Sequence, residues 1–114
     1  MEVRNARNGR LLGERVLRTR GGREAAKGLL GRGGLEPGEG LWILGTMGVH
    51  SFGMRFPIDV AYLDGDLRIV HVIENMRPGR IGRLSLRTET VLELPAGTLA
   101  ATETRQGDQL EIRA

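Results

Sequence analysis

The sequence contains no cysteine, few aromatic residues and no long hydrophobic run. The absence of cysteine from all 114 residues excludes disulfides and thiolate metal sites. No apolar run reaches the roughly 18–20 residues that span a bilayer. Arg4, Arg7 and Arg10 interrupt the N-terminus, where a secretion signal would carry its apolar core. We therefore expect a cytoplasmic protein with no membrane partner.

The aromatic side chains are limited to Trp42, Tyr62, Phe52 and Phe56. A core must therefore be built mainly from leucine, isoleucine and valine. The 18 glycines are about twice the usual share, which favours many turns and short elements. A chain of this length can bury one modest core, so the sequence predicts a single domain over residues 1–114.

The charges are unevenly distributed along the chain. Residues 1–32 carry nine basic and three acidic residues, and residues 77–87 carry four arginines and no acid. The intervening residues 33–76 are acidic, with six acids against two arginines. Two basic segments around an acidic middle could bind phosphate or nucleic acid. However, 16 of the 17 basic residues are arginine, which also fits a general preference for arginine over lysine.

The local patterns predict short strands joined by turns. Asn8-Gly9 and Asp64-Gly65 are typical of two-residue type I′ hairpin turns. Both central positions of such a turn have positive φ, which asparagine, aspartate and glycine tolerate. The first hairpin would have its second arm at 11–17. Residues 19–32 contain good helix formers, with Ala26, Leu29 and Leu30 on one face, and are predicted to form a helix.

The remaining segments complete a mainly β fold, α+β at the margin. The strands at 58–63 and 67–73 are apolar on both faces, so the sheet must be covered on both sides or curled. We expect a small barrel-like curled sheet with one or two short helices. The predicted strands are 41–45, 58–63, 67–76, 90–95 and 109–113, with a helical turn or two near 96–106.

Three sequence stretches resemble a known family. They are "GLLGR" (28–32), "VHSFGMRFPIDVAYLD" (49–64) and "VLELPAGT" (91–98), the last followed by "GD" at 107–108. Together they resemble the uncharacterised bacterial and archaeal proteins grouped as domain of unknown function 192. The resemblance implies a compact β-rich fold but no reaction. Many relatives carry a cysteine where this chain has Thr46 or Met47, so thiol chemistry is absent here.

The loop 46–59 is the best candidate for a site. It places a histidine, a serine, a methionine and an arginine between glycines, and it leads into a strand that carries an aspartate. The basic loop 77–87 could face it and add an anion-binding wall. We therefore predict a small-ligand or anion-binding module whose ligand-binding residues are His50, Ser51, Met54, Arg55, Asp59, Arg77 and Arg80.

Two other functions remain open. A hydrolase-type enzyme could use His50 and Asp59, although His50 and Ser51 should point opposite ways in an extended segment and form no dyad. An RNA-binding accessory protein could use the basic segments 1–32 and 77–87. The sequence identifies no catalytic residue, cofactor or oligomeric state.

A metal site is not predicted. Met47, His50 and Met54 have a spacing that would suit Cu(I), but methionine more often fills irregular apolar gaps.

Asp59 lies between Ile58 and Val60 in an apolar strand. A carboxylate in such a strand must be paired or hydrogen-bonded. We expect it to be buried, and to accept hydrogen bonds from the amides of the preceding loop and from Arg55.

Overall fold

The computed structural model describes residues 1–20 and 34–114. Within these residues no helix is long and apolar enough to cross a membrane. The elements in chain order are β1 (Glu2–Asn5), β2 (Leu11–Gly13), β3 (Arg15–Arg20), β4 (Glu39–Leu44), β5 (Ile58–Leu63), β6 (Ile69–Met76), β7 (Thr90–Pro95), α1 (Thr98–Ala101) and β8 (Leu110–Arg113).

The strands of the described residues form two open sheets and no closed barrel. One sheet has the order β2-β1-β8, and the other has the order β3-β4-β7-β5-β6. All neighbouring strands are antiparallel except β3 and β4. The prediction of a mainly β fold is confirmed. The sheets are curled but do not close into a barrel, because the chain passes from one sheet to the other between β2 and β3.

The first hairpin is confirmed, but its details differ from the prediction. β1 and β2 pair across residues 6–10, with Gly9 at φ 75° and Asn8 outside the left-handed region. The turn is therefore longer than a two-residue type I′ turn. The second arm ends at Gly13, because the amides of Glu14 and Arg15 both donate to the carbonyl of Gly38 and direct β3 into the other sheet.

The second predicted hairpin, β5–β6, also forms with a longer turn. The Asp64 carboxylate accepts hydrogen bonds from the amides of Asp66 and Arg68, and Leu67 rather than Gly65 takes a positive φ of 66°. The predicted helical turn near 96–106 is confirmed by α1. Most of the predicted helix at 19–32 lies outside the described residues, and Thr19 and Arg20 belong to β3.

Apolar clusters cover both faces of the five-stranded sheet. Along β5, Ala61 and Leu63 face the small sheet, whereas Val60 and Tyr62 face the opposite side. Because side chains alternate along a strand, the two clusters separate cleanly. Residues of the loop 46–56 pack on the second cluster, which includes Val49, Met54 and Phe56. We call this side the loop-bearing face.

An ion pair and its hydrogen bonds connect the end of β1 with the residues that precede β8. The Asp108 carboxylate is 5% exposed and accepts hydrogen bonds from the Arg7 guanidinium (2.7 Å), the Asn5 amide (2.9 Å) and the backbone N–H of Arg105 (3.0 Å). The hydrogen bond from Arg7 is the main reason that the pKa of Asp108 falls to about 2. We call these four residues the paired cluster.

Candidate anion-binding site

Two loops meet at one edge of the loop-bearing face. His50 pairs with Ile81 in an antiparallel bridge. The amide of Ser51 donates to the carbonyl of Arg80 (2.9 Å), and the amide of Gly82 donates to that of Val49 (2.8 Å). The loop 46–59 was predicted to face the segment 77–87, and it does so over residues 49–51. We call the surface formed by residues 46–56 and 77–88 the two-loop surface.

Ser51 joins the two loops from below. Its hydroxyl is fully buried, donates to the carbonyl of Arg77 (2.6 Å) and accepts from the amide of Arg80 (2.9 Å). Its carbonyl also accepts from the amide of Gly79 (3.0 Å). A hydroxyl committed in this way is a structural link. It fixes the backbone at two of the predicted ligand-binding arginines.

Tyr62 supports the second loop from the sheet. Its hydroxyl donates to the carbonyl of Arg83 (2.7 Å). Gly82 passes directly over this ring, and a Cβ there would lie 2.5 Å from the Tyr62 hydroxyl and 2.9 Å from Val49. The loop can approach this closely only because position 82 has no side chain. Burial raises the pKa of Tyr62, and the nearby Arg83 charge opposes this in part.

The guanidinium groups of the two-loop surface form no ion pair with any residue that the structure describes. The five arginines are exposed, and within the described residues none of them forms an ion pair or a side-chain hydrogen bond. Neither segment contains an acidic residue. Anions in solution can therefore reach these positive charges. The arginines are Arg55, Arg77, Arg80, Arg83 and Arg87.

His50 lies at the centre of the surface and is half-buried. Its Nδ1 accepts a hydrogen bond from the amide of Phe52 (3.3 Å), and the two rings lie 5.3 Å apart. A ring whose Nδ1 accepts carries its proton on Nε2 when neutral. His50 has further interactions within the protein, so it serves the loop as well as any ligand.

Met54 is half-buried and packs on the apolar cluster of the loop-bearing face, as expected for a gap-filling methionine. Met47 is 45% exposed at the other end of the loop. Across residues 1–20 and 34–114, no three His, Asp or Glu side chains are grouped so as to hold a metal ion.

Asp59 is fully buried, as expected, but its partners differ from the prediction. Its carboxylate accepts from the backbone amides of Asn75 (2.9 Å), Gly97 (3.1 Å) and Leu99 (2.9 Å). Since Asp59 alternates with Val60, it belongs to the opposite face from the loop 46–56. It therefore fixes the turn before α1 and the end of β6. It does not join Arg55 in the two-loop surface.

Glu93 is the carboxyl on the loop-bearing face, and the sequence reasoning missed it. In β7 it pairs directly with Leu41 on one side and Val60 on the other, both fully buried. Glu93 is itself 7% exposed, and its carboxyl group forms no hydrogen bond or ion pair with the described residues. Burial raises its pKa to about 7. A charged residue within the run "VLEL" was the available signal.

His71 is a second titratable group that the sequence reasoning passed over. It pairs with Tyr62 across β5 and β6, and the two rings meet edge to face at 5.1 Å. Burial lowers its pKa, and the Arg83 charge lowers it further. The positive field of the second loop therefore extends to the sheet beneath it.

Comparisons with known proteins identify a matching family. The model of the family designated DUF192, described as "Uncharacterized ACR", matches residues 5–112. No curated protein matches.

Two solved structures share the fold. One is a protein of unknown function from Novosphingobium aromaticivorans, with a TM-score of 0.79 and 24% identity over 97% of this chain and 82% of that one. The other, from Sinorhizobium meliloti, is described as a candidate transcription regulator. It has a TM-score of 0.74 and 26% identity over 96% of this chain and 89% of that one.

Proposed function

The chain belongs to the family of domain of unknown function 192, and we propose that it is an anion-binding module whose site is the two-loop surface. The observation that carries the proposal concerns Arg77, Arg80 and Arg83. Their backbone carbonyls are held by Ser51 and Tyr62, whereas their guanidinium groups are exposed and have no ion-pair partner within residues 1–20 and 34–114. A fixed backbone with free guanidinium groups is suited to binding phosphate or carboxylate groups.

The geometry does not favour the hydrolase reading. Asp59 already accepts three backbone hydrogen bonds and belongs to the other face of the sheet from the loop that carries His50. An orienting carboxylate would have to lie within hydrogen-bond reach of the imidazole. The Ser51 hydroxyl donates to a carbonyl of the second loop, so it is not poised as a nucleophile.

The RNA-binding reading has lost part of its support. Four of the six arginines in residues 1–20 form ion pairs with glutamate or aspartate. Paired charge attracts a polyanion less than free charge does. The uncompensated arginines of the two-loop surface suit a small anion, and this surface needs no contribution from the N-terminal segment.

The test measures binding of inorganic phosphate and pyrophosphate by calorimetry and by thermal shift. A bound anion should stabilise the protein by about 2.7 kcal/mol at a hundredfold excess over its Kd. The triple variant Arg77→Gln, Arg80→Gln and Arg83→Gln should abolish this response.

The matched control carries the same change of charge on arginines that form ion pairs elsewhere: Arg4→Gln, Arg10→Gln and Arg113→Gln. It should retain binding. Equal responses from the two triple variants would contradict the proposal, and so would the absence of any response from the unmodified protein.

A further inference from the structure

Exposed apolar side chains are concentrated on the two-loop surface. Six large hydrophobic residues are exposed in the described parts of the chain, and five of them belong to these two loops. Three are at least 75% exposed. Contiguous exposed apolar side chains commonly mark contacts with a partner or a membrane. The five are Met47, Phe52, Ile81, Leu84 and Leu86.

These side chains belong to the outer side of the surface. Gly82 faces inward onto Tyr62, so its neighbour Ile81 faces outward. The bridge with Ile81 places His50 on the same side, and the ring of Phe52 lies 5.3 Å from that of His50. One continuous outward patch therefore runs from Phe52 to Ile81.

The patch continues towards the other end of the loops. Leu84 lies directly over Gly48, where an added Cβ would approach its Cδ2 to 2.9 Å. The amide of Ser85 donates to the carbonyl of Met47 (3.0 Å), which brings these segments together. Apolar side chains and arginines are thus interspersed along both loops.

The combination restricts what can cover this surface. A second copy would bring two sets of five exposed arginines together, with no acidic residue on either loop to neutralise them. A single-stranded nucleic acid stacks its bases on aromatic side chains, but most of the exposed apolar residues here are aliphatic. An anionic bilayer offers phosphate groups to arginine and an apolar layer to leucine and isoleucine.

We propose that the two-loop surface docks on the surface of anionic phospholipid membranes. Its arginines would bind headgroup phosphates, while Ile81, Leu84 and Leu86 enter the boundary of the acyl chains. This is peripheral docking through two loops, which needs no membrane-spanning segment. The inference rests on the proposed anion-binding function and names the source of the anion.

The test is sedimentation with vesicles of phosphatidylcholine alone or mixed with phosphatidylserine. The unmodified protein should bind the mixed vesicles, and less so as salt rises. The variant Ile81→Ser, Leu84→Ser and Leu86→Ser should bind the mixed vesicles at least about tenfold more weakly than the unmodified protein. It should keep its affinity for inorganic phosphate. The arginine triple variant should lose phosphate binding and lower vesicle binding about a hundredfold.

Leu17→Ser is the matched control, because Leu17 is the remaining exposed large hydrophobic residue of the described chain and lies in β3. It should bind vesicles normally. Phosphate binding without vesicle binding would overturn the membrane inference and leave the anion-binding function standing. Equal binding to uncharged vesicles would also overturn it. Tight binding of an RNA oligonucleotide, equal in the unmodified protein and the serine triple variant and without vesicle binding, would overturn it too.

Discussion

The paired cluster and the two-loop surface use arginine in opposite ways. In the paired cluster, Arg7 meets the buried Asp108 carboxylate, and both groups are held by further hydrogen bonds. On the two-loop surface, five arginines have no partner among the described residues. Charge that stabilises the fold is neutralised inside the chain, and charge that is left free is available to a ligand.

The buried carboxyl groups of Asp108, in the paired cluster, and of Glu93, in β7 on the loop-bearing face, also differ in their surroundings. Asp108 is stabilised as an anion, so its pKa lies at about 2. Glu93 is buried on the loop-bearing face between apolar neighbours, with no ion-pair partner among the described residues, and this burial raises its pKa to about 7. Opposite shifts of the same functional group imply opposite dependences of stability on pH. The following predictions test this contrast, beginning with the largest effect.

Replacing Asp108 should produce the largest loss of stability. Asp108→Asn places an amide against donors from Arg7, Asn5 and Arg105. Losing the hydrogen bonds to a charged acceptor should lower the free energy of unfolding by about 3 kcal/mol, measured by urea denaturation. The loss stays below that of a fully buried ion pair, because the Arg7 side chain is 40% exposed and remains solvated. The control Glu103→Gln removes an exposed ion pair with Arg10 and should cost less than about 1 kcal/mol. Similar losses in both variants would refute the structural role of the cluster.

Glu93 should make the protein less stable as the pH rises. Its pKa of about 7 in the folded state lies above the ordinary 4.5, so between these values the folded protein retains a proton that the unfolded chain releases. The contribution is complete below pH 4.5 and is lost as the pH rises through 7, to a total of about 3 kcal/mol.

Glu93→Leu should remove this pH dependence and raise stability at pH 8. The same substitution at the exposed Glu74 of the same sheet should leave the dependence intact. If the difference in stability between the unmodified protein and Glu93→Leu does not change from pH 5 to 8, the raised pKa of Glu93 is contradicted.

Much of the fold follows from sequence patterns, because strands and turns depend on local alternation and on glycine. β4 to β8 lie close to their predicted positions for this reason. The partners of Asp59 could not be predicted, because they are backbone amides 16, 38 and 40 residues away. Strand alternation could, however, have predicted the face of the sheet on which Asp59 lies. It places Asp59 and Val60 on opposite faces, and therefore separates Asp59 from the preceding loop.

The approach of the two loops was predictable to a similar degree. Glycine and charge patterns indicated that the loop 46–59 could face the basic segment 77–87, and the bridge between His50 and Ile81 joins these two segments. The lack of partners for the arginines of these loops depends on the final positions of all acidic residues, which no local pattern contains. The contribution of Glu93 was obscured in the same way, because its isolation depends on the neighbouring strands β4 and β5.

Ser51→Ala should lower both the free energy of unfolding and the affinity of the two-loop surface for phosphate. The change removes the hydroxyl that joins Arg77 and Arg80, so stability should fall by about 1–2 kcal/mol. Affinity for phosphate should fall too, because the arginines lose their fixed backbone. Ser85→Ala, in the second loop of the same surface, removes a hydroxyl that has no hydrogen bond in the described structure, and should change neither quantity. Unchanged phosphate affinity in Ser51→Ala would show that the link does not position the arginines.

The smallest expected effect separates the two uses of arginine most directly. Arg80→Gln removes an exposed charge without a partner, so the free energy of unfolding should change by less than about 0.5 kcal/mol. Relief of repulsion among neighbouring arginines can even make the change favourable. Arg10→Gln breaks an ion pair with Glu103 and a hydrogen bond to the carbonyl of Ala101. It should destabilise the protein by about 0.2–1 kcal/mol. Parallel urea titrations at low salt can resolve the difference, and added salt should shrink it. If Arg80→Gln proves to be the more destabilising change, Arg80 has a partner within the folded chain, and its charge is not reserved for a ligand.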